Sequence, residues 1–469
     1  MFNTPEFDKK LSLQTTSIPG LVILDLTVFG DNRGWFKENW QREKMLALGL
    51  PDFGPVQNNF SFNGKRGTMR GIHAEPWDKF ISVGSGSFFG AWVDIREDSP
   101  TYGQTFTTTV DASKAIFVPT GVANSYLTLE DNTVYSYLVN DHWYPDASYS
   151  FINATDPSLD IDWPIPQEEW EMSDKDKNHS FLKDVVPVKP KKTLVTGANG
   201  QLGKALRLEF PDAEFVSRDE FDITSPELSN LRHWRDYSVI INAAAYTAVD
   251  KAESPESRKD AWKANASAVA NLSKIATEFG ITFVHISSEY VFDGAIEVHD
   301  ENEDFSPLGV YGQSKAAGDM AASTTSRHYI VRPTWVIGEG NNFVRTMQSL
   351  AERDIKPSVV DDQIGRLTFA SDLAKGIKHL IDTKAAFGTY NLTNDGEPVS
   401  WATVAKKVYE LSGKSADDIT PVSTEEYFKD KPGAAPRPLQ STLNLAKIKA
   451  AGFAPRDWEQ ALTEYVQNQ

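Results

Sequence analysis

Up to about residue 185 the apolar positions fall in short runs rich in Val, Phe, Tyr and Thr, such as 88–96 and 105–110, separated by Gly, Pro, Asn and Asp. That texture predicts the strands and turns of an antiparallel sandwich or barrel. Beyond it, apolar strands alternate with helical spacing. Segments 193–196, 239–242 and 282–287 read as buried parallel strands and 261–278 as a helix, which predicts a βαβ-type fold. Between the two textures lies VVPVKPKK, 185–192, whose two prolines favour an extended connector. The expected division is therefore 1–185, a linker at 186–191, and 192–469. No internal repeat or low-complexity tract interrupts it.

Composition narrows the class. The chain has 469 residues, enough for two or three domains, and 40% hydrophobic, 24% charged and 11% aromatic residues fit folded protein throughout. Lys and Arg number 47 against 65 Asp and Glu, and the net charge of −18 repels phosphate backbones, so nucleic acid is not an expected partner. The absence of cysteine excludes disulfides, thiolate nucleophiles and Cys-ligated zinc. The N-terminal MFNTPEFDKKLSLQ lacks the apolar core of a secretory leader, and no stretch of about 18 apolar residues occurs, so a cytoplasmic protein without a membrane partner is expected.

In the second half, KTLVTGANGQLGKAL places Gly197, Gly200 and Gly203 after a strand and at the opening of a helix. Glycine there lets backbone approach a pyrophosphate, and the helix N-terminus offers it free N–H groups. Where an NAD-preferring site would carry an acid, the next strand ends in Ser217-Arg218. Arg218 can meet a 2′-phosphate, which favours NADPH and leaves NADH open, although a solvated surface arginine fits the same position. Downstream, Tyr311 and Lys315 stand at i and i+4 on one helix face, where the ammonium can lower the phenol pKa and make Tyr311 a proton donor to a carbonyl oxygen. Ser288, at a strand end, can hydrogen-bond that oxygen.

Together GANGQLG, INAAAYTAVDKAE, SSEYVFDG, YGQSKAAGD, RPTWVIGEGNNFV, DDQIGRLT and PRPLQSTL resemble the extended short-chain dehydrogenase/reductases, and within them the dTDP-4-dehydrorhamnose reductases. The resemblance covers most of 192–469. It implies a Rossmann domain with a C-terminal substrate-binding part, and a cofactor held by Gly197, Asn199, Gly200, Gln201, Leu202 and Gly203. It also implies Asp222 and Ile223 near the adenine, and Ala244, Ala245 and Tyr246 along the cofactor groove. Ser288, Tyr311 and Lys315 become the catalytic set, with Glu289, Trp335, Asn342 and Arg437 at the sugar nucleotide. The family usually has Thr at position 288 and Asp at 289. Some members dimerise around Mg²⁺, which no carboxylate cluster in this sequence compels.

In the first half the histidines are His73, His142 and His179, and no second histidine in a later strand matches RGIHAE, so a metal-free site is expected. Arg33, Glu38, Gln57, Asn59, Arg70, His73, Lys79 and Tyr137 remain as polar candidates on predicted strands. DNRGWFKE, PVQNNFSFN, GTMRGIHAE, VDIREDSPTYGQ, FVPTGVANSYLTL, DPSLDIDWP and MSDKD resemble the dTDP-4-dehydrorhamnose 3,5-epimerases, metal-free cupin-type jelly-roll barrels. This implies that His73, oriented by Asp176, removes protons alpha to a 4-keto group. Lys79 would stabilise the enolate oxygen and Tyr137 would reprotonate from the opposite face. It also implies that Arg33, Arg70 and Lys175 grip a pyrophosphate and Phe36 stacks on thymine, with Glu38, Gln57, Asn59 and Asn124 at the substrate. Asn124, Gly90 and Ser148 stand where the family usually has His, Asp and Glu, which leaves open whether both C3 and C5 are epimerised.

The two resemblances join into consecutive steps on one dTDP-sugar, epimerisation and then reduction at C4. A homodimer through the cupin-like domain is expected. Two alternatives stay open, a reductase carrying an inactive sugar-nucleotide-binding module and a non-catalytic dinucleotide-binding regulator.

Overall fold

A computed structural model of the chain describes residues 6–145 and 147–467. The chain divides into two compact units, Met1–Pro190 and Lys191–Gln469.

In the first unit, the short runs rich in Val, Phe, Tyr and Thr form β1 (Ser12–Thr15), β2 (Val22–Asp25), β3 (Val28–Asp31), β4 (Gly34–Lys37), β5 (Gln57–Asn63), β6 (Met69–Ala74), β7 (Lys79–Ser85), β8 (Phe88–Asp94), β9 (Thr105–Val110), β10 (Lys114–Val118), β11 (Val122–Thr128), β12 (Thr133–Val139) and β13 (Ser150–Phe151). One sheet has the order β1-β2-β10-β7-β12-β5 and the other β13-β6-β11-β8-β9. All these ladders are antiparallel. Ile81, Val83, Ile116 and Tyr135 of the first sheet share a core with Phe88, Trp92, Val122 and Tyr126 of the second. Burial of this apolar surface holds the sheets together. β3 and β4 form a separate two-stranded sheet, a largely exposed hairpin.

Strand β8 ends at Asp94, short of the expected 96. The Asp94 carboxylate accepts hydrogen bonds from Arg96, Ser99 and Thr101 and turns the chain there. Burial pushes this carboxyl up, and those bonds outweigh it and hold it at about 2. The expected connector is partly tied down as well, because Val188 N donates to Ile95 O and Glu97 N donates to Val188 O.

The second unit is built on six parallel strands, β14 (Lys192–Thr196), β15 (Glu214–Val216), β16 (Tyr237–Asn242), β17 (Thr282–Ile286), β18 (His328–Arg332) and Gly388–Asn391. The order is β15-β14-β16-β17-β18 and then Gly388–Asn391. α3 (Gln201–Glu209), α6 (Ala268–Glu278) and α7 (Val310–Ala322) are among the helices that flank it; short helices α1 (Arg42–Ala47) and α2 (Asp174–Lys177) precede them, and α4 (Val249–Ala252) and α5 (Pro255–Trp262) lie between α3 and α6. Alternating strand residues feed two cores, Leu194 and Ile240 with α6 on one face, Val195 and Ile241 with α3 on the other. A sheet covered on both faces explains the continuous apolar runs.

The helix expected over 261–278 is interrupted by a π-helical turn, Lys263–Ser267. Asn265 within it accepts from Tyr246 N and donates to Tyr246 O and Ser314 Oγ, so the widened turn brings an amide to the backbone of the next loop. Beyond the sheet, α8 (Phe343–Glu352) contributes to a third core with Phe369, Val408 and Trp458. Among the described residues no helix is long and apolar enough to cross a membrane.

Candidate functional site

Strand order reverses at β14, and ligands of open α/β sheets bind at the carboxyl ends of strands beside such a reversal. A cavity of about 1000 Å³ lies there, lined by residues of the β14–α3 turn, the ends of β15, β16 and β17, and α7. Gly197 has φ +72°, and a Cβ on it would meet the Ala243 backbone at 2.7 Å. A Cβ on Gly203 would collide with the Gly197 carbonyl oxygen, so α3 packs tightly beneath the turn. No side chain caps α3 at Gly200, and Gly200, Gln201 and Leu202 line the cavity. This cradle, closed to side chains and open to an anion, fits the pyrophosphate of a dinucleotide.

Asn199, Arg218, Asp222, Ile223, Ala244, Ala245 and Tyr246 line the same cavity, together with Ser288, Glu289, Tyr311, Lys315 and Trp335. Arg218 is exposed at its rim. Gly203, Asn342 and Arg437 are not among the lining residues. Asn342 instead caps α8, accepting from Arg345 N at 3.1 Å and donating to Gly338 O and Tyr465 Oη at 2.8 Å. Its neighbour Asn341 lines the cavity. Arg437 is held by Asp250 at 2.8 Å. The motif reading also passed over Tyr290 and Trp401, both cavity-lining; Trp401 stacks on Trp335 at 3.8 Å, a pairing 66 positions apart that no local spacing announces.

At the centre, Ser288 Oγ donates to Glu289 Oε2 at 2.6 Å, and Lys315 Nζ donates to Ile286 O at 2.5 Å. Lys315 is 1% exposed, and burial lowers its pKa to about 8 against the pull of Asp319. Burial raises Glu289 to about 7, offset in part by the Ser288 hydrogen bond. The expectation that Lys315 lowers the Tyr311 phenol is not met. Burial holds that phenol well above its ordinary value and Glu289 adds to the shift, whereas the lysine's hydrogen bond is directed to the Ile286 carbonyl. Tyr311 is therefore a protonated donor at neutral pH.

In the first unit His73 lies on β6 and Asp176 on α2, which Ser173 caps. Nε2 of His73 stands 3.0 Å from Asp176 Oδ1. A carboxylate only accepts, so Nε2 carries the hydrogen and Nδ1 the lone pair. Burial would raise Asp176, but the His73 hydrogen bond and the nearby His73 and His179 hold it below the usual carboxylate range. Across the two sheets, Lys79 of β7 donates to Asn124 Oδ1 of β11 at 2.9 Å, pairs with Glu75, and sits 5.2 Å from the Tyr137 ring centroid. Asn124 is the register partner of His73, so these groups share one region. Burial and then Glu75 push the Tyr137 phenol up to about 12.

Arg70 lines a cavity of about 620 Å³ with His73 and Asp176, and Lys175 lies over the Phe151 ring that meets His73 edge-on. Gln57 and Asn59 are hydrogen-bonded to each other on β5, with Asn59 opposite Tyr137. Of the expected residues only Arg70, His73 and Asp176 line that cavity; Gln57, Asn59, Lys79, Asn124, Tyr137 and Lys175 do not, and neither do Arg33, which pairs with Asp31, Glu38, which pairs with Lys44, or Phe36, 67% exposed on β4. His179, given no role from the sequence, lies 3.6 Å from Asp176 Oδ1, delivered by the segment after α2 and not by a later strand. Burial first, then His73, lowers its pKa.

Comparison with known proteins places both halves. Residues 191–469 match the RmlD substrate binding domain family and residues 15–184 the dTDP-4-dehydrorhamnose 3,5-epimerase family. An RmlC homolog of Streptococcus pyogenes is 51% identical over 193 residues, 39% of this chain and 96% of that protein. A dTDP-4-dehydrorhamnose reductase of Aggregatibacter actinomycetemcomitans is 38% identical over 288 residues, 57% of this chain and 96% of that protein. The crystal structure of the Bacillus anthracis dTDP-4-dehydrorhamnose reductase in complex with NADP is 34% identical, with a TM-score of 0.55 over 60% of this chain and 99% of that one. The chain belongs to the RmlD family through residues 191–469 and to the dTDP-4-dehydrorhamnose 3,5-epimerase family through residues 15–184.

Proposed function

We propose that the chain is a bifunctional enzyme of dTDP-L-rhamnose biosynthesis, an isomerase that epimerises dTDP-4-dehydro-6-deoxyglucose at C3 and C5 and an NADPH-dependent oxidoreductase that reduces the C4 ketone. The observation that carries this reading is the presence on one chain of matches, over nearly their whole lengths, to proteins of two consecutive steps. The relative in complex with NADP supports the cofactor. We assign the isomerase to 1–185, read as a cupin-type jelly roll, the connector to 186–191 and the reductase with its sugar-nucleotide part to 192–469.

In the isomerase, Nδ1 of His73 takes a proton from the carbon beside the ketone. The electron pair moves onto the ketone oxygen, where the Lys79 ammonium favours the developing charge. Tyr137 returns a proton from the opposite face, so the stereocentre inverts with no net redox change. Arg70 and Lys175 serve the pyrophosphate. Phe60 and Phe62, 69% and 65% exposed on edge strand β5, support a homodimer through this unit, and the exposed Arg33 and Phe36 then act on substrate only if a second copy receives their hairpin.

In the reductase, Tyr311 holds the ketone oxygen and gives it a proton, joined by Ser288 once its hydroxyl hydrogen turns from Glu289 to the ketone, while Lys315 positions the site. NADPH, when bound, supplies the hydride to C4. The glycine turn with Asn199 to Leu202 holds its pyrophosphate, Asp222 and Ile223 its adenine, Arg218 its 2′-phosphate. The test separates the halves. His73→Ala is expected to abolish deuterium incorporation from D₂O at C3 and C5 and to spare NADPH oxidation on the epimerised ketone. Tyr311→Phe is expected to do the reverse. Unimpaired overall turnover in His73→Ala overturns the reading.

A further inference from the structure

His73, Asp176 and His179 are the one group of three among the described residues whose donor atoms could converge on a metal ion, all within 4.8 Å of one another. Small side-chain shifts would bring them to the spacing of a coordination shell. Both imidazoles direct Nε2 at the same oxygen, Asp176 Oδ1, at 3.0 and 3.6 Å. Tetrahedral zinc with bonds of about 2.0–2.2 Å separates its ligands by roughly 3.3–3.6 Å. The His179 side chain is 5% exposed, and its Nε2, 3.6 Å from Asp176 Oδ1, is a buried ring nitrogen with no hydrogen-bond partner. Its ring is stacked on Phe151 at 4.8 Å and so held in that direction. His73 and Asp176 line the cavity of about 620 Å³, which leaves a fourth coordination position open to water or to a ligand oxygen. With no cysteine in the chain, no thiolate site competes for a borderline-soft cation.

We propose that these three residues form an inhibitory site for a divalent cation of the zinc class, distinct from any resident cofactor. The consequence for the isomerase follows from the tautomer. A neutral imidazole carries one N–H and one lone pair. Zinc on Nε2 of His73 takes the lone pair there, expels the hydrogen bond to Asp176 and leaves the proton on Nδ1. The atom that would accept the substrate proton then has no lone pair. Coordination and proton abstraction are mutually exclusive at this ring, while the reductase on the same chain keeps its chemistry and serves as an internal reference.

The inference rests on the reading of His73 as the base for its inhibitory part only, because zinc binding is measured without substrate. The full-length chain is titrated with Zn²⁺ against a chromophoric indicator, and deuterium exchange and NADPH oxidation are followed in parallel with and without EDTA. The native chain is expected to take up one tight equivalent, to lose exchange on saturation and to recover it with EDTA. His179→Phe, which keeps the ring stack, is expected to bind at least about tenfold more weakly and to exchange in zinc that silences the native chain. His179→Gln provides the same comparison should the Phe variant melt early. Two-donor pairs such as His233–Asp236 account for weaker background uptake. Native affinity in both His179 variants, or full exchange at saturating zinc, overturns the proposal. Absence of exchange even without zinc points instead to failure of the isomerase reading, and the binding arm still decides the metal site.

Discussion

Asp176→Asn isolates the contact proposed to orient His73 as the base. The substitution is nearly isosteric and removes one charge from a side chain 9% exposed and 3.0 Å from Nε2 of His73. A hydrogen bond to a charged partner contributes about 1.5–3 kcal/mol. If all of it is expressed in the transition state, at about 1.36 kcal/mol per tenfold, exchange slows by roughly 10- to 150-fold. An asparagine that turns its NH₂ toward Nε2 also selects the tautomer with the proton on Nδ1. The equivalent exchange in a Ser-His-Asp triad costs about 10⁴-fold. The expected loss of deuterium incorporation at C3 and C5 therefore starts near tenfold and extends toward that figure, with NADPH oxidation on the epimerised ketone unchanged. Stability carries its own signature. Because the folded Asp176 pKa lies below the unfolded value of 3.8, its contribution is present above that pH and is lost as pH falls through the folded value, so the variant should show a shallower acid-side loss. Exchange within about threefold of the native rate, a difference of only about 0.65 kcal/mol, would refute the orienting role.

The reductase offers further tests. Tyr311→Phe removes the proposed proton donor and should slow NADPH oxidation by about 10²–10⁴-fold in a spectrophotometric assay, with deuterium exchange retained. Gly203→Ala drives a Cβ into the Gly197 carbonyl oxygen, so the stabilisation of the chain by NADPH in a melting assay should disappear at cofactor concentrations that shift the native protein. For Glu289 the sign runs the other way from Asp176. Its folded pKa of about 7 exceeds the unfolded 4.5, so stability should fall as pH rises between these values, by an amount on the order of 3 kcal/mol, and Glu289→Gln should flatten that slope in urea unfolding. Asn342→Ala removes the α8 cap and should cost about 1 kcal/mol of stability, with KM for the sugar nucleotide unchanged; a raised KM at native stability would restore Asn342 to the substrate.

How much of this was legible along the chain depends on the range of the interaction. The glycine turn, the parallel strands and the Tyr311–Lys315 pair are local patterns, and a six-stranded parallel sheet with α3 and α7 stands where they predict it. Residues 103 positions apart, such as His73 and Asp176, carry no spacing signal; resemblance supplied that pair. His179 lies only three residues from Asp176 but just past the short helix α2, and its nearness to His73 depends on the same long-range contact, so nothing in its local spacing marks it. The break in 261–278 followed from Asn265, polar in an otherwise helical run and 1% exposed. Asn342 shows the converse. An asparagine one residue before a helix has a local use as its cap, and that use is legible without the role its motif implied.

The central claim is that one chain performs two successive reactions on the same ketone. The measurement that tests it most directly is incubation of the purified full-length chain with dTDP-4-dehydro-6-deoxyglucose and NADPH, no other enzyme present, with the product resolved by NMR. Stoichiometric NADPH oxidation is expected, with dTDP-L-rhamnose deuterated at C3 and C5 when the solvent is D₂O. NADPH consumption that begins only after a separate epimerase is added, or a product with the unaltered C3 and C5 configuration, would contradict it.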